Sequence, residues 1–459
     1  MSDRVLFNSF WQAGFECSTH LLKNGKRLDL VTSTGHDRFA DQDFARLPEV
    51  GILTAREGLR WHVIEARPGQ YDFTSAQRIL DAAQGQGIQI IWDLLHFGWP
   101  DGLDIFSPPW IESFGDFAFA FARTLREQAR EAAFVAPINE ISFFSWAGGD
   151  TGYLNPFATG RGAELKGQLV RGAIRASEAL LAELPRVRLV SPEPVIHIAG
   201  DPARPEDVRQ AAEYRSAMFE AWDMLAGRAQ PELGGKEDYL DIIGVNYYDR
   251  NQWWNFGKTI WRHEPAYRPF REILAEVYQR YRRPVFVSET GTEDDDRPEW
   301  LAYVADEVRG AMRAGADLHG ICLYPILNHP GWDDDRHCCN GLWDYPGPSG
   351  ERKRFEPLAK EFARRQDPER DSYDPPNSSK PTRFTLPIAP AVELRVPAPP
   401  APDEPVRGGT TGVLYRGTDS GFPETAPANV HLSADAGLRG DAAPCNGPGT
   451  KPGARAATN

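Results

Sequence analysis

Long apolar runs, basic charge and cysteine are all scarce in this chain of 459 residues. The N-terminus, "MSDRVLFNSFWQAGFECS", has neither the basic start nor the apolar core of a leader peptide. No apolar stretch approaches the ~20 residues that a membrane span needs. The five cysteines, Cys17, Cys322, Cys338, Cys339 and Cys445, are odd in number and scattered. They make no disulfide framework, and the expectation is a reducing cytoplasm. A formal net charge of −14 argues against nucleic acid or an anionic membrane as partner. What is present is hydrophobic substance: 41% of residues are apolar, with 13 Trp and 24 Phe, enough for a substantial core. The flat, amphipathic Trp rings also suit sugar and aromatic ligands.

Composition changes near residue 367. From Pro368 onward, 92 residues carry 16 of the 38 prolines, in stretches such as "RVPAPPAPDEP". Proline removes backbone donors, and so few apolar residues cannot offset ordering entropy, so residues 367–459 are expected to be a largely disordered tail. The piece "RFTLPIAPAVELRV" is the one part of it suited to lie on the preceding domain as an extended strap.

Residues 1–366 alternate short apolar runs with longer helical patterns. The expected strands are "FWQAGFE" (10–16), "TAREGLRW" (54–61), "IQIIWDLLHF" (88–97), "AFVAPINE" (133–140), "RVRLVSPEPVIH" (186–197), "LDIIGVNYY" (240–248), "PVFVSE" (284–289) and "LHGICLYPI" (318–326). Eight strand–helix units predict a parallel sheet closed into a (β/α)₈ barrel.

Such barrels build their sites from side chains at the C-terminal ends of the strands. Those ends supply Glu16, Arg60, Trp61, His96, Asn139, Glu140, Asn246, Tyr248 and Glu289, with Tyr324, Asn328 and Trp332 at or beyond the eighth. Taken singly, each has a bland explanation: an ion pair for Glu140, packing for Trp61 or Trp332, a hydrogen-bonded core histidine for His96. Their convergence on one face is harder to explain that way. Two carboxylates at a cleft have a specific use in retaining glycoside hydrolysis, where one attacks the anomeric carbon and the other protonates the leaving oxygen. Their environments must hold one ionised and the other neutral. Arg60 is expected to hold Glu289 ionised, with the Tyr248 hydroxyl donating to it. Strand alternation puts Asn246 and Tyr248 on one face and Tyr247 on the other.

These residues resemble the retaining (β/α)₈ glycoside hydrolases, and most closely glycoside hydrolase family 1. "PINEISFF" resembles that family's Thr-Phe-Asn-Glu-Pro and implies Glu140 as acid/base; "FVSETG" resembles Ile-Thr-Glu-Asn-Gly and implies Glu289 as nucleophile. "LRWHVIEARPGQYDF" resembles the Arg-Phe-Ser segment after the second strand and puts Arg60 beside the nucleophile. "LLHFGWPDGL" resembles Tyr-His-Trp-Asp-Leu-Pro and implies His96 as a sugar ligand; "IIGVNYY" and "LYPILNHPGW" match in the same order along the chain. Substrate contacts implied in this way are Arg60, His96, Asn139, Asn246, Tyr248, Tyr324 and Trp332. Ile141 and Thr290 depart from the pattern without removing a reacting group. Tyr324 stands where the family has a platform Trp, and Gly331 where it has a Glu that grips outer hydroxyls. The strand-one Gln is replaced by Glu16 or His20.

The acidic loops "TEDDDRPEW" (292–300) and "WDDDRHCC" (332–339) lack the spacing of calcium or zinc sites, and no metal or other cofactor is expected. The basic helix within "HEPAYRPFREILAEVYQRYRRP" suits a solvated face, and no Gly-rich phosphate loop is present. The expected partner is a small carbohydrate, with neither nucleic acid nor membrane; the sequence leaves the oligomeric state open. The leading function is a retaining β-glycosidase acting on a modified or oligomeric sugar. The alternatives are transglycosylation on the same machinery, or a non-catalytic carbohydrate-binding barrel or scaffold.

Overall fold

Alternating apolar residues on short strands, each followed by an amphipathic helix, close a barrel in the computed structural model, which describes residues 6–128, 132–255 and 257–366. The barrel strands are β1 (Trp11–Gly14), β2 (Thr54–Gly58), β3 (Gln89–Leu95), β4 (Phe134–Ile138), β5 (Arg188–Pro194), β6 (Ile242–Asn246), β7 (Val285–Thr290) and β8 (Leu318–Leu323). Each pairs in parallel with the next, and β8 pairs with β1. All eight expected strands are present, mostly trimmed by a few residues at their ends. The main helices follow in order: α1 (His36–Arg46), α2 (Thr74–Gly85), α3 (Pro108–Gln128), α4 (Gly162–Glu183), α5 (Pro205–Ser216), α6 (Phe270–Tyr281), α7 (Arg297–Arg313) and α8 (Glu356–Gln366). None of the described helices is long and apolar enough to cross a membrane.

Two apolar layers hold this frame. The larger lies between the strands and the helices, where Trp61 stacks on Phe117 of α3 and Phe362 of α8 packs on Trp11 of β1. The smaller fills the barrel interior at its N-terminal end, where Ile91, Phe134, Val190, Ile242 and Phe286 meet Phe7. That plug leaves only the C-terminal end of the barrel for polar side chains. The proline-rich segment 367–459 and its "RFTLPIAPAVELRV" piece lie outside the described residues. Cys17, Cys322 and Cys338 are free buried thiols.

Candidate active site

On β7, Phe286 points into the barrel, and strict alternation would send Glu289 outward to the helices. A register shift prevents this: Val245 of β6 pairs with Val287, but Asn246 pairs with Glu289. The extra residue, Ser288, makes a β-bulge, a device that re-aims side chains at sites. The Ser288 hydroxyl donates to Asn246 Oδ1 at 2.6 Å, and Glu289 turns inward. Its Oε1 accepts from Arg56 Nη1 at 2.6 Å and its Oε2 from the Tyr248 hydroxyl at 2.8 Å. Burial, then the carboxylates of Glu289 and Glu140, push the Tyr248 phenol well above its ordinary range. Tyr248 therefore stays a donor.

Glu140 reaches the same centre by a different local device. It follows β4 at φ 50°, in the left-handed region that costs a non-glycine residue roughly 1–2 kcal/mol. Its N–H donates to Pro192 O on β5, while the Asn139 N–H donates to Leu95 O on β3. The turn lets two consecutive side chains face the interior. Asn246 Nδ2 donates to Glu140 Oε1 at 2.9 Å. Asn139 Oδ1 accepts from Arg56 Nη2 at 2.7 Å, and its Nδ2 faces His96 Nε2 at 3.0 Å. An arginine can only donate, so the Asn139 amide is fixed with its NH₂ toward His96. His96 Nε2 faces that NH₂ as an acceptor, with the proton on Nδ1, although Cys17, Asp93 and Glu16 outweigh burial and push the ring's pKa well above its ordinary value. Nδ1 lies 3.1 Å from Cys17 Sγ and 3.3 Å from Asp93 Oδ2.

The structure brings five of the expected site residues together: Glu140, Glu289, Asn139, Asn246 and Tyr248. Arg60 does not join them. It lies beyond the end of β2, where Nη1 donates to Thr32 Oγ1 at 2.8 Å and to Asp29 Oδ2 at 3.2 Å. Arg56, mid-strand on β2, stands beside Glu289 instead. His96 is present at the centre, but both ring nitrogens are engaged by protein groups. Tyr324 is wholly buried; its ring lies against Gly14, where an added Cβ would sit 1.9 Å from Tyr324 Cδ2, and beneath the Arg56 guanidinium. It packs against the Arg56 guanidinium in place of offering an open platform. Trp332 stands at the mouth, edge-on to His20 with ring centroids 4.7 Å apart.

Besides Arg56, sequence reasoning missed four groups. Asp93 accepts Arg56 Nε and Nη2 at 3.0 and 2.7 Å; burial opposes its ionisation, yet Arg56 and His96 hold its carboxyl below the usual range. Cys17 is a buried thiol pushed up to about 11, first by burial. Ser288 orients Asn246. Glu193 on β5 accepts the Ser142 N–H at 3.0 Å, just past the Glu140 turn, and burial pushes its carboxyl up to about 8. The inward parity of Arg56 with Gly58 was the available signal for Arg56. Among the described residues, ligand-type atoms gather only at Cys17, Asp93 and His96, within 4.8 Å of one another, and that set is hydrogen-bonded internally and to Arg56. Neither acidic loop gathers such a set.

No protein-family profile matches the chain. Among curated proteins, β-glucosidase 1B of Phanerodontia chrysosporium is 26% identical over 121 residues, which is 22% of this chain and 22% of that protein. The match therefore spans about a fifth of the relative's length. Solved structures are similar over far more of the fold. The family 1 β-glucosidase of Thermotoga maritima superposes with a TM-score of 0.63 at 15% identity, covering 78% of this chain and 97% of that one. The same enzyme in complex with glucoimidazole gives 0.64 at 15% identity, over 79% and 98%. The AHE enzyme of Alicyclobacillus herbarius gives 0.64 at 16% identity, over 78% and 99%. The chain has the closed (β/α)₈ fold of these structures.

Proposed function

We propose that this protein is a retaining β-glycosidase with Glu289 as nucleophile and Glu140 as acid/base. The observation that carries the reading is the clamp on Glu289: Arg56 takes one carboxylate oxygen and Tyr248 the other. A fixed guanidinium favours the ionised form that attacks carbon. Asn246 Nδ2 donates to Glu140 Oε1 at 2.9 Å, which orients this second carboxyl toward the same centre. In the first step Glu289 bonds to the anomeric carbon as the C–O bond to the leaving group breaks, and Glu140 gives its proton to that oxygen. In the second, Glu140 takes a proton from water, which displaces Glu289. The substrate is a modified or oligomeric carbohydrate, and the names of the structural neighbours, with their sugar-like inhibitors, agree with a carbohydrate ligand. Transfer to a sugar hydroxyl would use the same groups. A binding barrel would have no use for a clamped nucleophile beside a second carboxylate.

The test is a panel of aryl β-glycosides with the first-formed anomer followed by NMR. Retention supports the reading and inversion overturns it. Glu289→Ala should lose turnover by several orders of magnitude while keeping its circular dichroism, and near-normal activity would remove Glu289 from the role.

A further inference from the structure

The turn that aims Glu140 into the barrel is held from behind by β5. Val190 of β5 lies in the inner plug, so alternation sends Glu193, three residues on, to the opposite face, among the helices. There it is 1% exposed and shares a small space behind β4 and β5 with Ile138, Ile141, Ala173 and Leu225. An ionisable side chain in such surroundings is costly, so its presence asks for a use. Among the described residues no cation pairs with it; Lys166 of α4, which acts on it electrostatically, is paired with Glu220. Burial, with the Glu140 carboxylate adding to it, outweighs the contacts from Ser142 and pushes the Glu193 carboxyl up to about 8. It is therefore largely neutral at pH 7.

Glu193 Oε2 accepts the Ser142 N–H at 3.0 Å. Ser142 belongs to the short helix Ile141–Phe144, whose N-cap is Glu140. The first N–H groups of a helix have no partner within it, and the N-cap side chain ordinarily takes one of them. Glu140 does not: its carboxyl is turned the other way, to Asn246, and makes no cap bond. Glu193 supplies the missing acceptor from the neighbouring strand. The residue before it completes the grip, since Pro192 O accepts the Glu140 N–H at 3.0 Å. Two consecutive residues of β5 thus fix the N–H groups of residues 140 and 142, on either side of a left-handed backbone at Glu140. Such a conformation persists only where its surroundings over-determine it.

We propose that Glu193 is a positioning residue for the acid/base: by capping the helix that starts after Glu140, it frees the Glu140 carboxyl from that role and holds it at the leaving-group oxygen. This rests on the glycosidase reading and deepens it. Without the cap the turn relaxes and Glu140 swings away from Asn246. Glu289, clamped on β7 by Arg56 and Tyr248, keeps its place. Loss of proton donation with the nucleophile intact has a signature that general loosening lacks: the harm grows as the leaving group becomes poorer.

The experiment measures kcat/KM for a dinitrophenyl and a methyl β-glycoside of the same sugar in Glu193→Leu, Glu193→Asp and Glu193→Gln, with circular dichroism to confirm folding. Glu193→Leu removes the acceptor and Glu193→Asp withdraws it by one methylene, so if the first does not fold the second decides. Both should lose ~10²-fold with the methyl glycoside, the scale of a slightly misplaced catalytic group, and under about threefold with the dinitrophenyl one. Glu193→Gln, whose amide oxygen accepts as the neutral carboxyl does, should stay within about threefold of wild type on both. Adding Glu193→Leu to Glu140→Ala should cost nothing more on the methyl glycoside, because the group it positions is gone. Equal losses on the two substrates, no loss in Glu193→Leu and Glu193→Asp, a Glu193→Gln as poor as Glu193→Leu, or a further loss in the double variant would each overturn the proposal. The two readings fail separately. Glu140→Ala without leaving-group dependence removes the acid/base assignment and this proposal with it. A leaving-group-dependent Glu140→Ala beside an unselective Glu193→Leu removes this proposal alone.

Discussion

Arg56 Nη1 lies 2.6 Å from Glu289 Oε1, and the same guanidinium holds Asp93 through Nε and Nη2. All three side chains are essentially without solvent exposure. Burial alone would disfavour each charge, but the two carboxylates raise the Arg56 pKa well above its ordinary value, so the cation is permanent. A planar fork with five donors can serve Asp93, Asn139 and Glu289 at once, which a lysine ammonium cannot.

Arg56→Lys is therefore expected to cut kcat/KM by ~10²–10³-fold, the scale seen when one electrostatic stabiliser is lost. Arg60→Ala should stay within about threefold of wild type, since Arg60 bonds Thr32 and Asp29 away from Glu289. Steady-state kinetics on one aryl glycoside, with circular dichroism to confirm folding, decide it. The reverse ranking would return Arg60 to the nucleophile.

Acid assistance matters most when the leaving group is poor. Glu140→Ala should leave the glycosylation step nearly intact for a dinitrophenyl glycoside and slow it by roughly 10³-fold for an alkyl glycoside. Added azide should restore turnover of the activated substrate by entering the vacated space and needing no base. Equal losses for both leaving groups would count against Glu140 as the proton donor.

The strands were legible because period-2 apolar patterns and their separation by helical segments are local signals. Glu140, Glu289, Asn246 and Tyr248 were legible because they close strands whose order in sequence is their order around the barrel. Arg56 was not, because an arginine next to Glu57 in mid-strand looks like a solvated pair, and only closure of the barrel shows that it faces inward. The inward turn of Glu289 depends on a bulge that no residue type announces. Asp93 and Cys17 come from separate strands, and their meeting at His96 is a tertiary fact.

A second buried charge cluster predicts how stability varies with pH. His36 of α1 bridges Asp43 and Glu57 at 2.9 and 2.8 Å and stacks on Phe15. Burial lowers its pKa, but Glu57 and Asp43 outweigh that and bring it up to about 9 from 6.5. A histidine pKa raised in the folded state stabilises fully below the unfolded value and loses that contribution as pH rises through the folded one. The contribution is on the order of 3 kcal/mol. Wild type should therefore lose Tm relative to His36→Gln as pH rises from about 6.5 to about 9.5. Parallel melting curves for the two proteins across that range would contradict the assignment.

The last prediction concerns Gly331, which stands where the resembled family carries a glutamate that grips outer hydroxyls. Here the Gly331 N–H donates to Arg336 O, and an added Cβ would lie 2.3 Å from Asp334 Oδ1. The space beside residue 331 is thus already taken by a carboxylate, at the end of a side chain that is 53% accessible and lies 3.8 Å from the Arg336 guanidinium. Asp334 also accepts the Arg336 N–H, so it is not fully available to a sugar. Plain glycosides should consequently bind weakly, with kcat/KM for nitrophenyl β-glucoside below about 10³ M⁻¹s⁻¹, under the usual enzyme range. Gly331→Glu should raise that value about tenfold by restoring a charged acceptor once Asp334 has moved aside. A wild-type efficiency in the usual range would show that another group already holds those hydroxyls, and the specificity argument from Gly331 would fall.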